Sequence, residues 1–478
     1  MARNTSVKTI KERARETRVA READVVVVGG GPGGIGAAVS AARNGADTVL
    51  IERYGYLGGM GTGGLVTIIP QLTDYTGKQQ IVGLTQEWID RLIARNAVDL
   101  PKKEHWGSLD KELVRYYFQR SFFMTRLDRV VYAAIIDAEV SKYILNEMVS
   151  EAGIKVYCHA WGTEPIMEGN HCKGVIIESK SGRQAILGKV VIDSTGDGDL
   201  FPYAGIEFED NILPNFRIAN LALCFWIDGV DLKKAMDFRK NNPKEFMELS
   251  RKAMAAGAQA GFFASNLPDQ DAVVWFHNRY PNKSQVDVEE LTRVEFEGRK
   301  VAIKTMEFYK KNMPGFEKSF LVLTGPQLGT RSSRRMIGEY QLTQKDLADN
   351  QPFEDTIAIF PDLDRGQESL DHPNIYIPYR CLLPKNLDNF LVACRAFSSD
   401  MHVQDYFNLI PHCIAFGEAA GTASAMALKA GVGVKNVDIK ALQKQLAKQG
   451  VPLPDFKKKM DCKYTGPALV STPFTPPH

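Results

Sequence analysis

The chain has 478 residues, enough for two or three domains. Hydrophobic residues make up 44% and charged residues 24%, which excludes collagen-like, disordered and coiled-coil classes. With 59 Lys and Arg against 57 Asp and Glu, the net charge of +2 lacks the basic surplus of a dedicated nucleic-acid binder.

Residues 1–22 are basic but interspersed with Glu12, Glu16 and Glu22, and they contain no apolar stretch. They read as a solvated arm and not as a secretory signal. Residues 24–28, DVVVV, are a short apolar run of the kind buried on both faces of a parallel sheet. GGGPGG follows at 29–34, then a small-residue helix that Gly45 terminates, then a second strand over 48–51 ending at Glu52. Residues 130–152 carry Ala134, Ala138, Leu145 and Met148 on one helical stripe and read as an amphipathic helix stopped by Gly153. From 154 to 187, short strand-like runs alternate with polar turns, as in a small antiparallel meander. Residues 190–193, VVID, are again a buried strand, followed by STGDGD.

From about 206 to 330, charged helical stretches broken by Pro and aromatic segments suggest a separate cap. GTRSSRRMIGEY, IPYR and a last β run, NFLVACR, come next. A Gly/Ala-rich helix and an amphipathic helix over 437–450 with Leu442 and Leu446 inward complete the fold, and GPALVSTPFTPPH is an extended tail. The expected class is α/β. A Rossmann-like FAD-binding domain, with a parallel sheet plus the meander, would span 23–64, 126–205 and 372–432. An α+β substrate or cap region would span 65–125 and 206–371, with a C-terminal helix and tail over 433–478. The seven cysteines are odd in number and form no CxxC pair, which points to reduced thiols in a cytoplasmic protein. No apolar run reaches the ~18 residues of a membrane span, so no membrane insertion is expected.

The chemistry starts at GxGxxG, on Gly29, Gly31 and Gly34. The first glycine permits the tight turn, the second lets a pyrophosphate approach the backbone, and the third allows helix to pack on strand. The helix start faces the phosphates, and Glu52 accepts from ribose hydroxyls. The motif does not choose between NAD and FAD. Three segments favour FAD: the nearly bare loop 58–64 (GGMGTGG), the STGDGD turn, where Asp197 or Asp199 could bind the ribityl or a phosphate-linked group, and a helix start near 409–413. No second GxGxxG provides an NAD(P)H domain.

DVVVVGGGPGGIGAA, VLIERYGYLGGMGTGGLV, VVIDSTGDGDLFPYAG, GTRSSRRMIGEYQLT and IPYRCLLPKNLDNFLVACRAFSS with GEAAGTASAMA resemble the FAD-dependent oxidoreductase family of the glutathione-reductase-like flavoproteins, over residues 20–435. The resemblance implies noncovalent FAD with its adenosine end on 29–34 and Glu52. It implies that the isoalloxazine lies near 58–62 and the 395–420 segment. No His in 58–64 allows a His-linked flavin there. The chain departs from the family at Cys394 in Ala-Cys-Arg, at Asn408 in place of Arg and at Glu418 in place of Gln.

The expected cofactor-binding set is Gly29, Gly31, Pro32, Gly33, Gly34, Glu52, Arg53, Gly58, Gly59, Met60, Thr62, Thr195, Gly196, Asp197, Arg395, Pro411, His412 and Cys413. The backbone at 410–413 would stabilise negative charge on the reduced ring. His402 is a candidate acid or base, with Asp405 and Tyr406 at i+3 and i+4, and His412 is a second; a structural role is the plain alternative for each. Arg331, Arg334 and Arg335 would share one basic helical face able to hold an anion. Tyr379 and Arg380 are candidates for the active-site wall. No metal site is expected. The expected function is hydride transfer between a small organic substrate and flavin N5, with oxygen or an external acceptor re-oxidising the flavin. The alternatives are a flavin monooxygenase or halogenase-like enzyme using NAD(P)H, and a non-catalytic FAD-binding subunit of a larger complex. The acceptor is unknown and a homodimer is left open.

Overall fold

The structure, a computed structural model, describes residues 9–213, 216–264, 267, 273–281, 284–349, 351–361 and 374–455. Strand β1 (Val19–Val28) is the spine of a seven-stranded sheet. It pairs in parallel with β2 (Thr48–Ile51) on one edge and with Gly182–Asp193 on the other. Lys155–Tyr157 adds a further parallel strand beyond β2. Residues 25–28 are buried because both faces of the sheet are covered.

β1 begins five residues earlier than expected. Val19 already pairs with Ala185, and Arg21 leaves the supposed arm to hold Asp47 at 2.7 Å. The meander is present as Trp161–Glu168, His171–Ser179 and Gly182–Asp193. Two details differ. Lys155–Tyr157 belongs to the parallel array, and residues 190–193 are the end of the long strand, not a strand of their own.

That long strand changes partners along one edge. Its first half pairs antiparallel with His171–Ser179, and its last residues pair in parallel with Phe390–Val392. The buried Asn389 side chain spans the changeover. Its amide donates to Cys172 O and Lys189 O, each at 2.7 Å, and its oxygen accepts from Cys172 N at 3.0 Å. Backbone groups that neither ladder reaches are thereby satisfied.

Helix α1 (Pro32–Arg43) follows the glycine turn and packs on the C-terminal helix Ile410–Ala430 almost backbone to backbone. A Cβ on Gly36 would lie 2.4 Å from Ile414 O, one on Gly417 2.0 Å from Gly33 O, and one on Gly421 2.1 Å from Ala37 O. The small-residue composition of both helices is thus a packing requirement. It brings residues nearly 400 apart in sequence to one end of the sheet. Helix α2 (Gly83–Ile93) packs beside them.

The helix expected over 130–152 starts only at Ala138, where Asp137 caps it by accepting from the N–H groups of Glu139 and Val140. Ala134–Ile136 instead pairs with Ile68–Ile69 and Val98–Asp99. A three-residue apolar run has no period of its own, so tertiary partners decide its state. The basic helical face at 331–335 is also overturned. Gly329–Thr330 and Arg335–Met336 are short strands that pair with Asn220–Asp228 and Phe208–Glu209.

The segment expected as a cap forms an antiparallel sheet of Phe263–Ala264, Val274–Pro281, Asn220–Asp228 and Phe320–Thr324. Helices Leu232–Asn241, Pro243–Ala255 and Val288–Asn312 cover it. It has its own core, in which Phe225 stacks on Phe276 at 5.1 Å with Tyr309 and Phe316 around them. Helix Ile439–Lys448 buries Leu442 and Leu446 as expected. The extended tail lies outside the described residues.

Candidate functional site

A cleft of about 660 Å³, measured to its open mouth, runs along the C-terminal ends of β1, β2 and Gly182–Asp193. The glycine turn forms its floor. Gly29 stands at φ +102°, and a Cβ there would approach Ser194 O to 2.4 Å. A Cβ on Gly34 would fall 1.7 Å from Gly29 O, and one on Gly33 1.8 Å from Ala393 O. Gly31 is different. Its φ of −72° and ψ of −172° suit any residue, and a Cβ would meet nothing within 4 Å. The protein's own packing therefore does not demand a glycine there. The space it leaves belongs to the cleft.

Glu52 lies in the wall and anchors the turn, accepting from Gly30 N at 2.6 Å and Tyr54 N at 2.7 Å. Burial raises its pKa, while these two bonds work the other way. Each oxygen retains acceptor capacity for a hydroxyl. Arg53 lies 5.1 Å from the ring centroids of both Tyr54 and Trp161 and 3.9 Å from Asp199.

The STGDGD turn carries an ionic network. Asp193 is fully buried and orders the turn by accepting from Thr195 N and Oγ1. Asp197 accepts from Arg395 and from Ser333 Oγ, each at 2.7 Å. Burial opposes the Asp197 charge, but Arg395, Ser333 and Arg53 outweigh it and hold the carboxyl below its usual range. Burial, with Asp197 and Asp193 nearby, pushes Asp199 up to about 7. Gly196, at φ +91°, leaves room for Arg395, whose guanidinium would lie 2.5 Å from a Cβ there.

Pro411 occupies the first turn of the Ile410–Ala430 helix, and Cys413 brings that turn to the cleft. Burial pushes the Cys413 thiol up to about 12 and the neighbouring Cys394 thiol well above its usual value. Both are neutral thiols that act as small apolar wall residues.

Of the expected cofactor residues, Gly29, Gly31, Pro32, Gly33, Glu52, Arg53, Gly59, Met60, Thr195, Gly196, Arg395 and Cys413 line the cleft. Gly34 and Pro411 do not line it. Several expected residues do not meet it. Gly58 turns at φ +93° against Leu145 and Thr62, and Thr62 is buried and donates to Leu57 O at 2.6 Å. Asp197 faces the protein, and Asp199 takes the lining position. His412 is fully buried with its ring 4.3 Å from Phe360 and 5.3 Å from Phe407.

None of the five candidate catalytic residues lines the cleft. His402 packs edge-on against Phe216 at 5.0 Å, and the Asp405 carboxylate serves Ile218 N instead. Arg331 donates its backbone N–H to Gln285. Arg334 donates to Asp197 O at 3.0 Å and so braces the turn from outside. Tyr379 is buried and donates to Val434 O at 2.9 Å, while Arg380 pairs with Asp355 over the Tyr340 ring. Neither of the last two meets the cleft.

Sequence reasoning missed Tyr54, Trp161, Ser194 and Gln327. Ser194 directly precedes the recognised turn and was within reach of the same argument. Trp161 and Gln327 have no local signal, because the meander and the cap deliver them through tertiary packing.

The cleft fits a flavin dinucleotide on two observations. The Gly31 cradle is space that a Cβ would fill. Two buried polar atoms on residues lining the cleft, Arg395 Nε and Gln327 Oε1, have no hydrogen-bond partner.

Residues 24–446 match the family described as FAD dependent oxidoreductase, and the chain belongs to that family. Its cofactor is FAD. No curated protein matches the chain. Among solved structures, a geranylgeranyl bacteriochlorophyll reductase-like protein of Thermoplasma acidophilum is similar at 14% identity and TM-score 0.43, covering 90% of this chain and 83% of that one. The myxobacterial chondrochloren halogenase is 13% identical, with TM-score 0.45, covering 90% and 79%. The p-nitrophenol 4-monooxygenase of Pseudomonas putida is 11% identical, with TM-score 0.44, covering 89% and 84%. No described helix is long and apolar enough to cross a membrane.

Proposed function

We propose that this chain is a dehydrogenase or oxidase of the glutathione-reductase-like type. It moves a hydride between flavin N5 and a C–H of a small alcohol, amine or saturated C–C substrate, and oxygen or an external acceptor re-oxidises it. The observation that carries this reading is the meeting of the cap with the glycine cradle. Residue 327, from the cap side, lines the cleft, and Thr330 accepts from Arg395 at 2.5 Å. A cap that reaches the cofactor cleft can enclose a substrate and exclude water.

Bound FAD supplies the hydride acceptor. The protein's part is binding and electrostatics. Gly31 leaves space for the pyrophosphate at the start of α1, where the helix end favours negative charge. Glu52 offers its remaining lone pairs to ribose hydroxyls. Arg53 and Arg395 offset phosphate charge, and Asp199, with its carboxyl at about 7, is partly protonated near neutrality and repels an anion less. The first turn of Ile410–Ala430 directs its positive end toward the cleft at Cys413 and favours charge on a reduced ring.

The test is anaerobic mixing of FAD-loaded protein with a panel of alcohols, amines and saturated acids, read by loss of flavin absorbance. Bleaching by a panel member supports the proposal. Bleaching by NAD(P)H alone overturns it in favour of a monooxygenase or halogenase-like reaction. No bleaching by any donor, with a copurifying partner that carries the activity, overturns it in favour of a subunit.

A further inference from the structure

A second cavity, of about 890 Å³ to its mouth, shares no lining residue with the cofactor cleft. Its walls are the end of α1 (Ser40, Arg43, Asn44), the start of α2 with Val82 before it, and Glu418, Gln445 and Gln449 from the C-terminal helices. Glu418 is only 3% exposed. Its carboxylate accepts from Leu84 N at 3.0 Å and from the Gln449 amide at 3.3 Å. Gly83, at φ +46°, makes this approach feasible, since a Cβ there would lie 2.2 Å from Glu418 Oε2.

The charges lining this cavity do not balance. Arg43 is the lining cation, and Glu87 already holds it by two bonds of 2.6 and 2.9 Å. Glu87 also accepts from Arg91 at 2.9 Å, and Asp90 is exposed and takes the Gln86 amide at 2.7 Å, which leaves Glu418 as the buried carboxyl with no basic side chain among its hydrogen-bond donors. The Ser40 hydroxyl, 2% exposed, has no hydrogen-bond partner although it lines the cavity. Buried polar groups are rarely left idle, and buried carboxylates are normally paired. Among the described residues no three His, Cys, Asp or Glu side chains are grouped to hold a metal ion. A ligand with N–H donors and positive charge would both pair the Glu418 carboxylate and give the Ser40 hydroxyl a partner.

We propose that this cavity binds a compact organic ammonium ion, with Glu418 as its counter-ion and Ser40 as a hydrogen-bonding neighbour. Burial pushes Glu418 up to about 7, so an arriving cation would draw a proton off it. The amide chain from Asn44 through Gln445 to Gln449 holds the wall in place, with Gln445 donating to Asn44 Oδ1 at 3.0 Å and Asn44 to Gln449 Oε1 at 3.1 Å.

The test is calorimetric titration of the FAD-loaded protein near neutral pH with propylammonium chloride, and with 1-propanol as its neutral counterpart. Saturable binding of the ammonium alone, with a heat that varies with buffer ionisation enthalpy because a proton is released, is the expected result. Glu418→Gln should weaken it at least about tenfold. Ser40→Ala, which only trims a hydroxyl, should weaken it several-fold with Tm unchanged. No saturable heat, equal binding of alcohol and ammonium, or unchanged affinity in both variants would overturn the proposal. The readout is binding, so it is independent of whether the flavin reaction is a dehydrogenation.

Discussion

Gly31→Ala separates a glycine kept for the cofactor from glycines kept for the fold. At Gly31 the backbone dihedrals suit alanine and a Cβ touches nothing. The ligand-free protein should therefore keep its stability or gain about 0.4–1 kcal/mol from the stiffer unfolded chain. The new methyl projects into the cleft and displaces the pyrophosphate from the backbone N–H groups at the start of α1. Losing one hydrogen bond to a charged group costs about 1.5–3 kcal/mol, so the Kd for FAD should rise about 10- to 150-fold. Gly34→Ala is the control, because its Cβ would fall 1.7 Å from Gly29 O and must disrupt the fold itself. Thermal unfolding of both apoproteins and flavin-fluorescence titration measure the two effects. If Gly31→Ala binds FAD as tightly as wild type, or melts early without it, the cradle argument is wrong.

Gly417→Ala gains helix propensity yet should destabilise the protein by about 1–3 kcal/mol in urea unfolding, because it forces α1 and the C-terminal helix apart. Tyr379→Phe should cost about 1 kcal/mol through the lost bond to Val434 O and leave the Kd for FAD unchanged; a large loss of FAD affinity would return Tyr379 to the active-site wall. Asp197→Asn leaves Arg395 buried without its counter-ion and should cost about 3–5 kcal/mol, seen as a drop in Tm. Glu418 is held above its unfolded value, so its effect on stability is absent below about pH 4.5 and grows unfavourable as pH rises through about 7, reaching at most about 3 kcal/mol. Glu418→Gln should flatten this fall in a pH series of denaturation midpoints, and an unchanged slope would contradict the assignment.

The sequence alone determined the first βαβ unit, the meander and the glycine cradle, because each rests on local constraints. Gly29 needs a positive φ, Gly34 must sit against Gly29 O, and a run of four valines suits only a doubly covered strand. Side-chain placement at the cleft was not local. Arg334, Tyr379 and Arg380 stand out by residue type, and packing gives them Asp197 O, Val434 O and Asp355 as partners away from the cleft lining, which no local pattern announces. Asp197 and Asp199 are two residues apart in one turn, and only the position of Arg395, nearly 200 residues away, decides which is locked in a pair and which faces the cleft. Asn389 likewise closes a gap that exists only once two strands meet a third. Short-range sterics can be read along a chain, whereas partner choice for buried polar groups is settled by the closed tertiary structure.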